Sequence, residues 1–116
     1  MRKLKFAICL AILTAAVSAG AASAQPPKSV FLSVAPGGVL TVKVEHSVND
    51  PQKHFINRIM VYVDDKIAAQ RDYSSQTSAD GHEDTFQLDA LLPGSAIKVE
   101  AYCVIMGFAT GAIKVP

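Results

Sequence analysis

"VLTVKVEH", residues 39–46, decides the fold of this chain. Leu40, Val42 and Val44 alternate with Thr41, Lys43 and Glu45, a period of two that places apolar side chains on one face and polar ones on the other. That is the pattern of a β-strand with one face buried. The same reading extends outward in both directions. "VFLSV" (30–34) precedes it across the turn "APGG" (35–38). After the polar, proline-containing loop "SVNDPQK" (47–53) come "HFINRIMVYV" (54–63), the tight turn "DDK" (64–66) and "KIAAQRDY" (66–73). A hydrophilic loop (74–84) then leads to "TFQLDAL" (85–91), the turn "LPGS" (92–95), "AIKVEAYCVIM" (96–106) and "GAIKVP" (111–116). No stretch carries a helical period. About seven short strands separated by turns every 8–12 residues predict an all-β, immunoglobulin-like antiparallel β-sandwich.

The first 24 residues read differently. "MRKLKF" is basic, "AICLAILTAAVSAG" is a run of apolar and small residues, and "ASA" (22–24) is a small-x-small cleavage pattern. Together they read as a signal peptide, 1–24, cut before Gln25. The apolar run is short for a membrane span. The expected product is a single sandwich domain, 25–116, in the periplasm or secreted. The mean hydropathy of +0.27 for the whole chain is raised by this leader and does not indicate membrane character. Three of the 11 basic residues belong to the leader while all 10 acidic ones remain, so the domain is slightly acidic, near −2. That balance gives no reason to expect nucleic acid as a partner. Cys9 leaves with the leader, so Cys103 has no cysteine to pair with inside the chain.

Few residues remain that could carry chemistry. There is no phosphate-cradling glycine loop, no CxxC and no HExxH. His46 ends one strand and His54 begins the next, so antiparallel neighbours bring both to one end of the sandwich. They are either ordinary polar residues at strand ends or ligands, since neutral imidazole and thiolate suit iron, zinc or copper. The alternation in "IKVEAYC" puts Ile97, Val99, Ala101 and Cys103 on one face, pointing inward or along the core edge. Cys103 is thus a small core residue, a redox thiol or a metal ligand. Met106 either fills space near the rim or completes a His46, His54, Cys103, Met106 set of the kind that favours copper. His82, in "ADGHEDT", reads as part of a solvated acidic loop.

"HSVNDPQKHFINRIMVYVDDK" (46–66) with "KVEAYCVIMG" (98–107) resembles the iron-binding domain of the desulfoferrodoxin and superoxide reductase family. That family has a histidine, a short proline-containing loop and a Glu-Lys-His-aromatic-Ile segment, then a C-terminal Tyr-Cys-x-x-His-Gly motif. The resemblance runs from about Val39 to the end. It implies an immunoglobulin-like sandwich holding non-haem iron, which reduces superoxide with an electron from an external donor. On this resemblance His46 and His54 match two histidine ligands and Cys103 the thiolate. Lys53 matches the lysine that attracts superoxide. The ligand set is incomplete. The family uses four histidines, whereas this chain has three, and Met106 stands in the Cys-x-x-His position. Gln52 replaces the glutamate of the loop segment. His82 is a candidate recruit from the acidic loop. Two other readings stay open: the copper set, and a metal-free sandwich acting as a binding or carrier module. Oligomeric state is not encoded in any feature of the sequence.

Overall fold

A computed structural model describes residues 25–116; the expected signal peptide, 1–24, lies outside the described residues. Seven strands form: β1 (Ser29–Ala35), β2 (Val39–Glu45), β3 (Ile56–Val63), β4 (Lys66–Asp72), β5 (Gly81–Gln87), β6 (Ala96–Cys103) and β7 (Phe108–Lys114). They make two antiparallel sheets, β1-β2-β5 and β4-β3-β6-β7, stacked as a sandwich. No helix among the described residues is long and apolar enough to cross a membrane.

The period-two pattern sets which faces meet. Leu40, Val42 and Val44 of β2 are buried against Ile97, Val99 and Ala101 of β6 and Ile59 and Val61 of β3. Phe86 of β5 and Val30 of β1 complete this core. Burying such aliphatic side chains contributes about 1.5–3 kcal/mol each. One irregularity shapes the end of the sandwich where β3 begins. Ile56 and Ile59 are both fully buried, although an odd spacing would put them on opposite faces of a regular strand. A β-bulge between Ile56 and Arg58 resolves this: Ile56 pairs with Cys103 and Arg58 with Tyr102, so one extra residue sits on β3. The bulge turns the start of β3 inward beside the end of β6.

The β3–β4 hairpin is closed by Asp64 and Asp65, both at positive φ, 48° and 67°, which is the conformation of a type I′ turn. Asp64 is held there by its carboxylate, which accepts the Ala96 N–H at 2.9 Å. Asp65 has no such restraint. Asp65→Gly is therefore expected to stabilise the protein by about 0.5–1 kcal/mol, by removing left-handed strain at an exposed site. Thermal or urea unfolding would read this directly.

Several boundaries differ from expectation, among them the start of β3 at Ile56, which leaves His54 in the loop, and the end of β5 at Gln87. β6 ends at Cys103 rather than running to Met106, because the Cys103 N–H turns back to the Gly107 carbonyl at 3.0 Å. β7 accordingly begins at Phe108, ahead of the expected 111. β5 begins at Gly81, inside the segment expected to be a solvated loop. His82 and Asp84 pair with Val44 and Val42, so both side chains face the interior.

Candidate metal centre

One end of the sandwich gathers three of the residues singled out in the sequence. His46 follows β2 directly, and Cys103 is the last residue of β6. His54 arrives through the intervening loop. Asp50 and Pro51 open a turn in which the Lys53 and His54 N–H groups both donate to the Asp50 carbonyl, at 3.1 and 2.9 Å. The Asp50 side chain also accepts the Gln52 N–H at 3.0 Å. Asp at the first position and Pro at the second suit such a turn. The turn leaves Lys53 exposed and His54 half-buried. The His46 and His54 rings meet edge to face at 4.7 Å. One ligand atom from each of His46, His54 and Cys103 lies within 4.8 Å of the others.

His46 is 1% exposed, and its ring is held by Gln76, a residue without any signal in the sequence reading. Gln76 Nε2 donates to the carbonyls of His46 (2.8 Å) and Ser78 (2.9 Å), while its Oε1 accepts the Ile56 N–H at 3.2 Å. Those three backbone partners fix which way the amide points. Its oxygen therefore faces His46 Nδ1, at 2.9 Å, and Nδ1 must carry the proton. With Nδ1 protonated, Nε2 is the nitrogen that can offer a lone pair to a metal. Nε2 lies 3.1 Å from the Gln25 carbonyl, which is itself an acceptor.

His54 and Cys103 complete the group. His54 Nε2 is buried without a hydrogen-bond partner. Burial and the neighbouring His46 hold the His54 imidazolium below its usual range, with the Gln25 carbonyl partly offsetting them. Cys103 is a free, buried thiol whose sulfur accepts the Ile105 N–H at 3.4 Å. Two imidazoles and a thiol, one ring oriented and one nitrogen without a partner, fit a transition-metal ion. Ligand bonds of about 2.0–2.3 Å let one ion span nearly the observed separation.

Met106 and Lys53 stand differently. Met106 is 48% exposed in the β6–β7 turn, next to exposed Val104 and Ile105. Lys53 makes no ion pair among the described residues. His82 corrects its sequence reading: it is 7% exposed and belongs to a different cluster, with its ring 4.1 Å from that of Tyr73. There Asp84 accepts the Tyr73 hydroxyl at 2.5 Å and Arg71 at 2.6 Å, and the Arg71 guanidinium covers Phe86. These contacts tie β4 to β5 along the open side of the sandwich. Burial alone would raise the Asp84 pKa, but the Tyr73 and Arg71 hydrogen bonds outweigh it and the net shift is downward.

His82 Nδ1 accepts the Thr77 N–H at 3.1 Å, so protonating the ring would oppose a donor to a donor. Burial lowers the His82 pKa, and Asp84 only partly counters it. The unfolded chain thus takes up this proton more readily than the folded one. Stability from His82 is complete above its unfolded pKa, about 6.5, and is lost as pH falls from there through the depressed folded value. His54 acts in the same direction. The thermal midpoint of the metal-free protein is expected to drop between pH 7 and pH 5, and to drop less in His82→Phe.

Fold and site together define a small antiparallel sandwich carrying a two-nitrogen, one-sulfur cluster at one end. The sequence matches no protein-family model and no curated protein. Among solved structures, the fold is similar to a variant of the superoxide reductase (neelaredoxin) from Ignicoccus hospitalis. Identity is 13% and TM-score 0.55, over 77% of this chain and 79% of that one. It is also similar to the superoxide reductase (neelaredoxin) from Archaeoglobus fulgidus in the reduced form, at 17% identity and TM-score 0.52, over 78% and 89% of the two chains. At these identities the likeness is one of fold.

Proposed function

We propose that this protein is an exported, superoxide-reductase-like oxidoreductase in which His46, His54 and Cys103 hold non-haem iron. The observation that carries this reading is the convergence of those three donors at one end of a sandwich whose fold is similar to superoxide reductases. Ferrous iron, when bound, supplies the single electron that converts superoxide to peroxide with uptake of two protons. An external donor must return that electron, because the described residues contain no second cluster of potential ligands.

The chain's own residues divide the remaining work. Gln76 keeps the His46 lone pair at Nε2 available. Cys103 contributes a negative sulfur at the buried edge, where its charge is poorly screened. The ammonium of Lys53, next in sequence to His54 and without a carboxylate partner among the described residues, attracts the superoxide anion and offers a proton to the departing product. Asp50 and Pro51 set the turn that separates the exposed lysine from the half-buried histidine.

The test is a product count. Iron-loaded protein is reduced and exposed to a superoxide flux, and peroxide and oxygen are measured together. A reductase forms peroxide from every superoxide consumed without releasing oxygen, and Lys53→Ala should slow the consumption. Oxygen release in equal amount with peroxide, or no consumption at all, would overturn the assignment.

A further inference from the structure

The segment before β1 is docked onto this end of the sandwich by specific contacts. Pro27 is buried, and the Lys28 N–H donates to the Glu45 carbonyl at 2.8 Å. Pro26 packs on Gly107, where φ is +77° and a Cβ would come within 2.6 Å of Pro26 Cβ. The β6–β7 turn is thus shaped to admit Pro26, which sets the position of Gln25. The Gln25 carbonyl lies 3.1 Å from His46 Nε2, and Gln25 lines one hollow with His54, Asp50 and Ile105. With the Nδ1 proton fixed by Gln76, two acceptors face each other at contact distance. Such a contact is favourable when a cation, a metal ion or a proton, lies between them. Cis ligands on one ion, each about 2.1 Å away, stand about 3.0 Å apart.

We infer that the mature N-terminus is itself a ligand. Once the Ala24–Gln25 bond is cut, the α-amine and carbonyl oxygen of Gln25 join His46, His54 and Cys103 around the ion. The inference rests on the proposed metal site and on cleavage before Gln25. Hydrolysis of that bond consumes one water and leaves a carboxylate on Ala24 and an ammonium on Gln25, which releases one proton to solvent when its nitrogen binds the ion. Before cleavage the Gln25 nitrogen is an amide, whose lone pair is delocalised into the carbonyl and is not a donor. Afterwards amine and carbonyl can close a five-membered chelate ring, since covalent geometry keeps the two atoms within about 4 Å. A three-nitrogen, one-oxygen, one-sulfur shell suits a divalent first-row ion. The two backbone donors make up for histidines absent from the chain, and the full shell assembles only in the processed protein.

The test uses the 116-residue chain, exported in a Gram-negative host and purified from the periplasm, with its N-terminus read by mass spectrometry. Anaerobic Fe(II) affinity is measured by competition with a chromophoric chelator. Wild type is compared with a form carrying two glycines inserted between Ala24 and Gln25, and with protein whose Gln25 has been enzymatically cyclised to pyroglutamate. The extended and cyclised forms should bind roughly 10-fold or more weakly, at least the loss that a disturbed supporting contact produces, with unchanged metal-free thermal midpoints. Equal affinity in all forms, lowered only by Cys103→Ser, overturns the N-terminal ligand and leaves the three-residue site standing. A mature N-terminus other than Gln25 also overturns it. No Fe(II) binding in any form removes the metal site and this inference together.

Discussion

Cys103→Ser is expected to lower Fe(II) affinity by well over 100-fold while the sandwich stays folded. The sulfur is the only soft donor in the cluster and its only potential anion. A serine hydroxyl does not ionise near neutral pH and is a poor ligand for a borderline metal. The loss should therefore exceed the roughly 10–100-fold cost of removing a hydrogen-bond partner that merely supports a ligand. Structurally the change is mild. Cys103 is buried at a strand end, and the one contact its sulfur makes, with the Ile105 N–H, can pass to a hydroxyl oxygen. The metal-free variant should unfold within about 1–2 kcal/mol of wild type, the range of most single substitutions. Parallel chelator competition and urea unfolding separate the two effects. A large stability loss without a change in affinity would make Cys103 a core residue and nothing more.

Gln76→Leu is expected to damage both stability and metal binding. The buried amide serves four partners: His46 Nδ1, the Ile56 N–H and the carbonyls of His46 and Ser78. A leucine fills similar volume and strands these groups, some of which cannot reach water. At about 1–3 kcal/mol for each buried group left unpaired, a loss of about 3 kcal/mol or more is expected in urea unfolding. Iron affinity should fall a further 10–100-fold, because nothing then holds the proton on Nδ1 of His46. Gln76→Glu separates the two roles. It keeps the acceptor for Nδ1 and for Ile56 but loses both donors, so it should cost stability while preserving the tautomer. Nitrogen-15 chemical shifts of the His46 ring would show a protonated Nδ1 in wild type and Gln76→Glu, and a mixture in Gln76→Leu.

The parts of this structure that were legible in the sequence are those written in the period of a strand. Alternation in 39–46 and 97–103 assigns the buried faces of β2 and β6, and with them the inward aim of Cys103. His46 and His54 do meet at one end of the sandwich, but not as expected: β2 and β3 belong to different sheets, and the loop that carries His54 crosses from one to the other. β5 was missed at its start because Gly81, His82, Glu83 and Asp84 look like solvent-facing residues. Inside, Thr77 meets His82 Nδ1 while Tyr73 and Arg71 meet Asp84, and none of these partners can be read from the 81–84 segment itself. Gln76 was invisible for the same reason. It stands among serines and threonines in a hydrophilic stretch, and its role exists only once the loop folds across His46, 30 residues away in sequence. The early end of β6 follows from a backbone hydrogen bond to Gly107 that no hydrophobic pattern records.

The most direct measurement is an anaerobic Fe(II) titration of the purified protein, followed by oxidation and a visible spectrum. Binding by His46, His54 and Cys103 predicts saturation at one ion per chain and a sulfur-to-ferric charge-transfer band that is absent in Cys103→Ser. A colourless protein that fails to retain stoichiometric iron would contradict it.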